Sequence, residues 1–247
     1  MPILPERLRN LCQTSISGLV RRRAISSFIS LVLAGLVVLA APPTFTYTKQ
    51  LIGHYYGDRA NEFYQAGDFA RAVLYRKRSI QLEPAAADSY YELGQASEKI
   101  GANDEALRAY EQAITLNHQF YDAYIAAAAV NIVKRKDYES AKKDIERALR
   151  QGPGEASVQY SLYTNLGRAD IGLANWDQAQ RNLRHAIQIN PTRGSAHCLL
   201  AQLLESRSEG DRALSEWGLC AAMSEQSEVE ASWREVAVRK LSAVVRP

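Results

Sequence analysis

Three side chains that could serve chemistry lie close together in the stretch ANWDQAQRNLRHAIQINP, residues 174–191. Trp176, Asp177 and His185 fall within ten positions of one another, so an acid and a base could share one reactive site. If the same pattern recurs along the chain, the trio is better explained as one copy of a structural unit.

The pattern does recur, at residues 67–84, 101–118 and 136–153, and more weakly in a fifth copy that includes Ala213 and Trp217. Successive copies start 34, 35, 38 and 34 residues apart. Two aligned columns hold small residues: Ala72, Ala106, Ala141 and Ala179 in one, and Ser79, Ala113, Ala148 and Ala186 in the other. A third column holds Pro84, Pro153 and Pro191, which end the second helix, with His118 in the remaining copy. This period accounts for Trp176 as a packing residue, so we interpret the trio as structural.

The upstream half of each unit carries its own small column, with Gly94 and Gly167 following a leucine. Together these columns resemble the tetratricopeptide repeat family over residues 53–227. The resemblance implies an all-α fold, a right-handed superhelical array of antiparallel helix pairs whose first helices line a concave surface. Because one hairpin cannot bury its apolar face alone, neighbouring hairpins are expected to stack.

The repeat units are predicted at 53–86, 87–120, 122–155, 160–193 and 194–227. The third unit carries one extra residue in its first helix. Four residues are added before the fourth, within residues 152–159, which predicts a longer turn or a longer helix start. Residues 228–247 place Trp233, Val236 and Leu241 at helical spacing, which indicates a C-terminal capping helix over the last repeat.

The positive charge of the chain belongs to its N-terminus. Residues 1–23 carry five arginines against one glutamate, a net charge of +4, whereas the remainder holds 25 basic and 26 acidic residues. The repeats therefore lack the basic excess that a nucleic-acid-binding surface usually needs.

An uncharged run follows this basic tail from Ala24 to Thr48, with its most apolar part over residues 25–41. Those 17 residues would span about 25 Å as a helix, so residues 24–47 predict a transmembrane signal anchor. The alternative is a signal peptide cleaved near Ala40. The arginines favour a cytoplasmic N-terminus, with the repeats in the periplasm or lumen of a bacterial inner or thylakoid membrane.

Two cysteines, Cys198 and Cys220, lie on the two helices of the predicted fifth repeat, facing each other across its turn. They could form a disulfide in an oxidising compartment, or they could pack as two buried thiols. The four histidines fall in different repeats, and the chain has no closely spaced ligand pair and no phosphate-binding loop. We therefore expect no metal, no cofactor, no small-molecule substrate and no enzymatic activity.

The resemblance implies that a protein partner binds the groove formed by the first helices. The groove residues it assigns are Asn61, Tyr64, Tyr91, Gln95, Lys99, Ala127, Val130, Asn165 and Arg168. In the third repeat the first helix, YDAYIAAAAVNIV, is apolar on every side. That composition indicates either tight stacking between neighbours or, as a sharper hypothesis, a groove floor for a partner helix at Ala127 and Val130.

These features predict a membrane-anchored, non-enzymatic scaffold or assembly factor whose partners belong to a membrane complex. A short tether to the bilayer would raise the effective concentration of such partners. Two alternatives stay open: a permanent structural subunit of a larger membrane complex, and a secreted soluble adaptor released by signal-peptide cleavage.

Overall fold

The computed structural model of the chain describes residues 42–152, 154–223 and 228–245, and these residues form helices and turns without any strand. The chain divides into two compact units, residues 1–54 and 55–247, and the described part of the first unit is only the start of the first helix below. The α-helices of the described residues are α1 (Pro42–Gln65), α2 (Phe69–Leu82), α3 (Ala87–Lys99), α4 (Asn103–Leu116), α5 (Tyr121–Val130), α6 (Tyr138–Arg150), α7 (Ala156–Gly172), α8 (Trp176–Ile189), α9 (Gly194–Ser206), α10 (Gly210–Met223) and α11 (Glu228–Val245).

Five helical hairpins, α1–α2 to α9–α10, follow one another, which confirms the predicted all-helical repeat array. Phe63 in α1 contacts Tyr75 in α2 with ring centroids 5.0 Å apart, and from α2 onward each helix packs against the next. The first helices also adjoin one another, α3 with α5, α5 with α7, and α7 with α9. Their outward sides make one surface, which we call the first-helix face.

The five hairpin turns share one backbone feature. Each has a residue with positive φ just after the first helix: Gly67, Gly101, Lys136, Ala174 and Ser208. In four turns the next N–H donates to a carbonyl five residues back, as from Asn175 to Asp170 at 2.8 Å. These bonds satisfy carbonyls that the end of a helix would otherwise leave unpaired.

The third turn differs because it contains the extra residue. The N–H of Asp137 donates to the carbonyl of Asn131, six residues back at 2.9 Å, and residues Asn131–Arg135 form a π-helical turn. A π turn is the usual way for a helix to absorb one inserted residue. The sequence predicted the insertion but not its form.

The insertion before the fourth repeat takes the second of the two predicted forms. Helix α7 begins at Ala156, inside the inserted stretch, and is 17 residues long, whereas α9 has 13. The added residues therefore extend the start of α7.

The seams of the array depend on residues that lack a side chain. A Cβ on Gly167 would lie 2.6 Å from Cγ of Leu183, and one on Gly172 would lie 2.5 Å from the Tyr138 ring. Gly167 therefore lets α8 close on α7 within a hairpin, and Gly172 lets the third hairpin close on the fourth. Interiors packed to crystal density leave no room for an added methyl group at such contacts.

Each seam between consecutive hairpins also carries an ion pair. These pairs are Arg76–Glu92 (2.5 Å), Arg147–Glu111 (2.9 Å), Lys142–Asp170 (2.9 Å) and Arg207–Asp177 (2.8 Å). The third is the most buried, because Asp170 is fully enclosed and also accepts from the Asn182 amide at 2.7 Å. Losing either donor would leave the Asp170 carboxylate buried and less compensated, which is strongly destabilising.

The N-terminal segment is the part of the prediction that the structure does not support. No helix in the described part of the chain is long and apolar enough to cross a membrane. The tail at 1–23, Ala40 and most of the predicted anchor at 24–47 lie outside the described residues. Residues 42–52 belong to α1, so Pro42 and Pro43 begin a helix. Proline is well tolerated there, since the first N–H groups of a helix have no partner within it.

The predicted capping helix is present as α11, which packs against α10 and α9. Ala237 of α11 is fully buried beside Trp217 and the two cysteines, and Trp233 and Leu241 pack against the same cluster. The last repeat thus has its apolar face covered, as an array needs at its end.

Two glycine-to-alanine substitutions should separate a seam glycine from an ordinary helical one. Gly167→Ala places a methyl group against Leu183, so we expect the free energy of unfolding to fall by about 2 kcal/mol. Gly218→Ala, in α10 with no atom within 4 Å of the added Cβ, should raise it by up to about 1 kcal/mol. Urea denaturation followed by circular dichroism measures both. Equal changes in the two variants would contradict the claim that Gly167 lies at a tight helix–helix contact.

Candidate functional site

The first-helix face carries two pockets. The first, of about 150 Å³, lies where α1, α2 and α3 meet. Its walls are Ala60, Asn61, Tyr64, Gln65, Ala72, Arg76, Glu92, Gln95 and Ala96. The structure thus brings together three predicted groove residues, Asn61, Tyr64 and Gln95. Their amide and hydroxyl groups could hydrogen-bond to a polypeptide backbone.

An ion pair forms the floor of this first pocket. Arg76 is 5% exposed, and its Nη2 lies 2.5 Å from Glu92 Oε2 and 2.6 Å from Asn61 Oδ1. Burial lowers the pKa of the Arg76 guanidinium, which Glu92 partly opposes, and burial likewise raises the pKa of Glu92. The pair is therefore partly desolvated, and losing one partner would leave the other uncompensated.

Arg76 was missed by the groove assignment because it lies on a second helix. The repeat pattern does contain a signal for it. The same column holds Tyr110, Ile145 and Leu183 in the next three repeats, all fully buried. A charged residue in a column of large core residues indicates either a buried ion pair or a site.

The second pocket, of about 200 Å³, lies between the first helices of the third, fourth and fifth repeats. Its walls are Ile132, Val133, Lys136, Tyr138, Arg168, Ile171, Gly172, Leu199 and Gln202. Of the predicted groove residues it contains Arg168, whose guanidinium carbon lies 5.9 Å from the centroid of the Trp233 ring. The π turn and the left-handed Lys136 shape one wall, which the sequence did not indicate.

The remaining predicted groove residues are scattered. Tyr91 is half-buried between the rings of Tyr110 and Phe120, with centroids 5.8 and 5.1 Å away, and burial raises its pKa to about 12. Lys99 is exposed, and Asn165 is half-buried in α7. None of these three residues lines either pocket. Their binding role stays a prediction.

Ala127 and Val130 lie inside the array. They are 4% and 0% exposed and belong to the largest core cluster, beside Tyr124 and Ile145. Val130 is fully covered by its own neighbours and cannot form the floor of a groove. Ala127 borders a pocket of about 370 Å³ between α4, α5 and α6, and it lines neither pocket of the first-helix face. At these two positions the structure favours stacking between repeats, because a helix that is apolar all round is buried on both sides.

Trp176, Asp177 and His185 do not come together in one site. Asp177 pairs with Arg207 of the next repeat, and His185 packs edge-on against the Tyr163 ring with centroids 4.3 Å apart. Trp176 is 38% exposed, so it packs less completely than its column predicted. Within the described ranges no group of three His, Cys, Asp or Glu side chains could hold a metal ion.

Cys198 and Cys220 are joined in a disulfide, with their Cα atoms 5.0 Å apart. The bond links α9 to α10, and both residues are fully buried against Trp217. Of the two alternatives that the sequence left open for these cysteines, the structure shows the disulfide and not two buried thiols.

Comparison with known proteins agrees with this geometry. Residues 58–132 match the family model of the tetratricopeptide repeat. A structure of MamA from residue 41 to its end, from Desulfovibrio magneticus RS-1, is 19% identical with a TM-score of 0.59, covering 67% of this chain and 91% of that one. PilF of Pseudomonas aeruginosa is 16% identical with a TM-score of 0.61, covering 79% of this chain and 90% of that one. TTC0263, a tetratricopeptide repeat protein of Thermus thermophilus, is 17% identical with a TM-score of 0.57, covering 76% of this chain and 99% of that one. At these identities the similarity is one of fold, and the fold is that of the tetratricopeptide repeat proteins.

Proposed function

We propose that this tetratricopeptide repeat array is a protein-binding scaffold that acts through its first-helix face. The observation that carries the proposal is the pair of pockets built from the first helices of successive repeats. Their walls combine amides, two phenols, cations and a carboxylate with apolar side chains, so they offer a bound polypeptide both hydrogen-bonding groups and apolar contact. A rigid array can present both pockets to one extended partner.

The proposed setting is a membrane, where the scaffold assists the assembly of a membrane complex. The support is the sequence of residues 24–47, an uncharged run after five arginines. The disulfide between Cys198 and Cys220 fits a location beyond the cytoplasmic membrane, because disulfides persist in oxidising compartments. Periplasm and lumen both meet that condition.

Two rival functions keep the same fold. A permanent structural subunit would use the same face continuously, and a secreted adaptor would lose the segment before Ala41. An enzymatic role has no support, since the acidic and basic side chains of the trio take part in separate structural contacts.

Topology can be tested on intact cells or spheroplasts. Protease added to the outer face should digest the repeats, and mass spectrometry should find the N-terminal peptide of the uncleaved chain. Without reductant, Cys198 and Cys220 should resist alkylation in denaturant, whereas reductant should make both react. Survival of the repeats would reverse the topology, and a mature N-terminus at Ala41 would favour the secreted adaptor.

Partner binding can be tested with a matched pair of variants in the full chain. Gln95→Arg fills the first pocket with a bulky cation beside Arg76, so we expect the amount of specifically captured partner to fall about tenfold or more. Gln188→Arg makes the same change at an exposed position of the second helix α8 and should leave capture within about twofold. Affinity purification in mild detergent with quantitative mass spectrometry measures both.

Equal losses in the two variants, with unchanged melting temperatures, would place the partner site elsewhere than the first-helix face. The same purification separates the rivals. A constant ratio of this chain to one complex indicates a permanent subunit, and a substoichiometric ratio indicates an assembly factor.

A further inference from the structure

Arg168 is a half-buried cation that has no carboxylate partner. Its side chain makes no hydrogen bond or ion pair within the part of the chain that the structure describes; its guanidinium instead lies near the Trp233 ring, 5.9 Å from the centroid. Burial lowers the pKa of the Arg168 guanidinium, and among the described residues the Tyr138 hydroxyl group opposes this shift.

Three other enclosed cations of the array have carboxylate partners. Arg76 meets Glu92, Lys142 meets Asp170, and the Arg147 fork meets both oxygens of Glu111 at 2.9 and 3.0 Å. Removing a cation from water costs free energy, and a counterion recovers part of that cost. Arg168 has only the Trp233 ring in place of a counterion, so its guanidinium keeps its hydrogen-bonding capacity for a ligand.

The pocket around Arg168 selects for negative charge. Lys136 lies at its rim as a second cation, Gln202 adds an amide, and none of the described residues that line it is Asp or Glu. Ile132, Ile171 and Leu199 supply apolar walls. A group that is anionic at its tip and aliphatic along its stem matches both features.

We infer that this pocket binds the carboxylate of an Asp or Glu side chain of the protein partner. The inference rests on the proposed function and names the chemistry that the partner presents. A guanidinium can donate two parallel hydrogen bonds to a carboxylate, and its flat face can stay on Trp233 while its edge binds. Lys136 would add long-range attraction at the rim.

A side chain fits this site better than a chain terminus. The pocket is bordered by α7 and α9 on the first-helix face, with the third repeat on the other side, and the donors that line it are side chains. Backbone N–H groups at a helix start can capture a terminal carboxylate, but α7 and α9 border this pocket through residues of their middle and last turns, so that mode is not available here. Peptide libraries can separate the two sources.

The test uses the full chain, purified in detergent, and two random dodecapeptide libraries. In one library both peptide ends are fused within a carrier loop, and in the other the C-terminus is free. Wild-type chain should enrich loop-fused peptides with Asp or Glu at one fixed position. Arg168→Gln should weaken such a peptide about tenfold to a hundredfold, and Arg168→Glu should shift enrichment to Lys or Arg.

Arg184→Gln and Arg184→Glu are the matched controls, because Arg184 is exposed on α8, away from the pocket. Both should bind the selected peptide within about twofold of wild type. The Arg168→Gln chain should melt no lower than wild type, since it loses an unpaired charge. A clearly lower melting temperature would make Arg168 a structural residue and overturn the inference.

The outcomes distinguish the two proposals. Peptides enriched without any acidic preference would overturn the carboxylate site and leave the scaffold function standing. Enrichment from the free-end library alone would overturn the choice of a side chain. A wild-type chain that enriches no peptide from either library would overturn both proposals.

Discussion

The structure depends on a steric constraint where its helices meet, within and between hairpins: a residue without a side chain must face a large one. Gly94 faces Tyr110, Gly167 faces Leu183, and Gly172 faces the Tyr138 ring. These contacts let helices approach closely enough for Tyr110 and Leu183 to be fully enclosed. A single hairpin still leaves its outer apolar side uncovered, so each repeat depends on packing against its neighbours. The first-helix face exists because that stacking places successive first helices side by side.

The periodic sequence predicted most of this architecture, because small and large residues recur in fixed columns. It located the hairpins, the extra residue of the third repeat and the closing helix. It could not say that the extra residue becomes a π turn at Asn131–Arg135, since that depends on which carbonyl the Asp137 N–H reaches. Family geometry placed Asn61, Tyr64 and Gln95 together, but it also put Val130 in the groove, where the structure buries it completely.

The repeat columns could not predict which residues form the two pockets, and the reason is physical. Arg76 reaches the first pocket from a second helix, and the second pocket draws on Lys136 and Tyr138 beyond the first helix of the third repeat. Such sites combine residues that are distant in sequence, and their charges acquire meaning only from burial and partners. Arg76 and Arg168 are the same residue type on the same face, yet one is paired with Glu92 and the other is not. We interpret the first as part of the fold and the second as part of the binding surface.

Hydrogen exchange of the full chain, followed by mass spectrometry, tests the stacking claim most directly. If each hairpin is stabilised by its neighbours, amides around Tyr110, Ile145 and Leu183, in the second to fourth hairpins, should exchange slowest and as one cooperative group. The first hairpin should exchange faster, since within the array it has a repeat on one side only. Hairpins that exchange independently, or a first hairpin as protected as the third, would contradict the account.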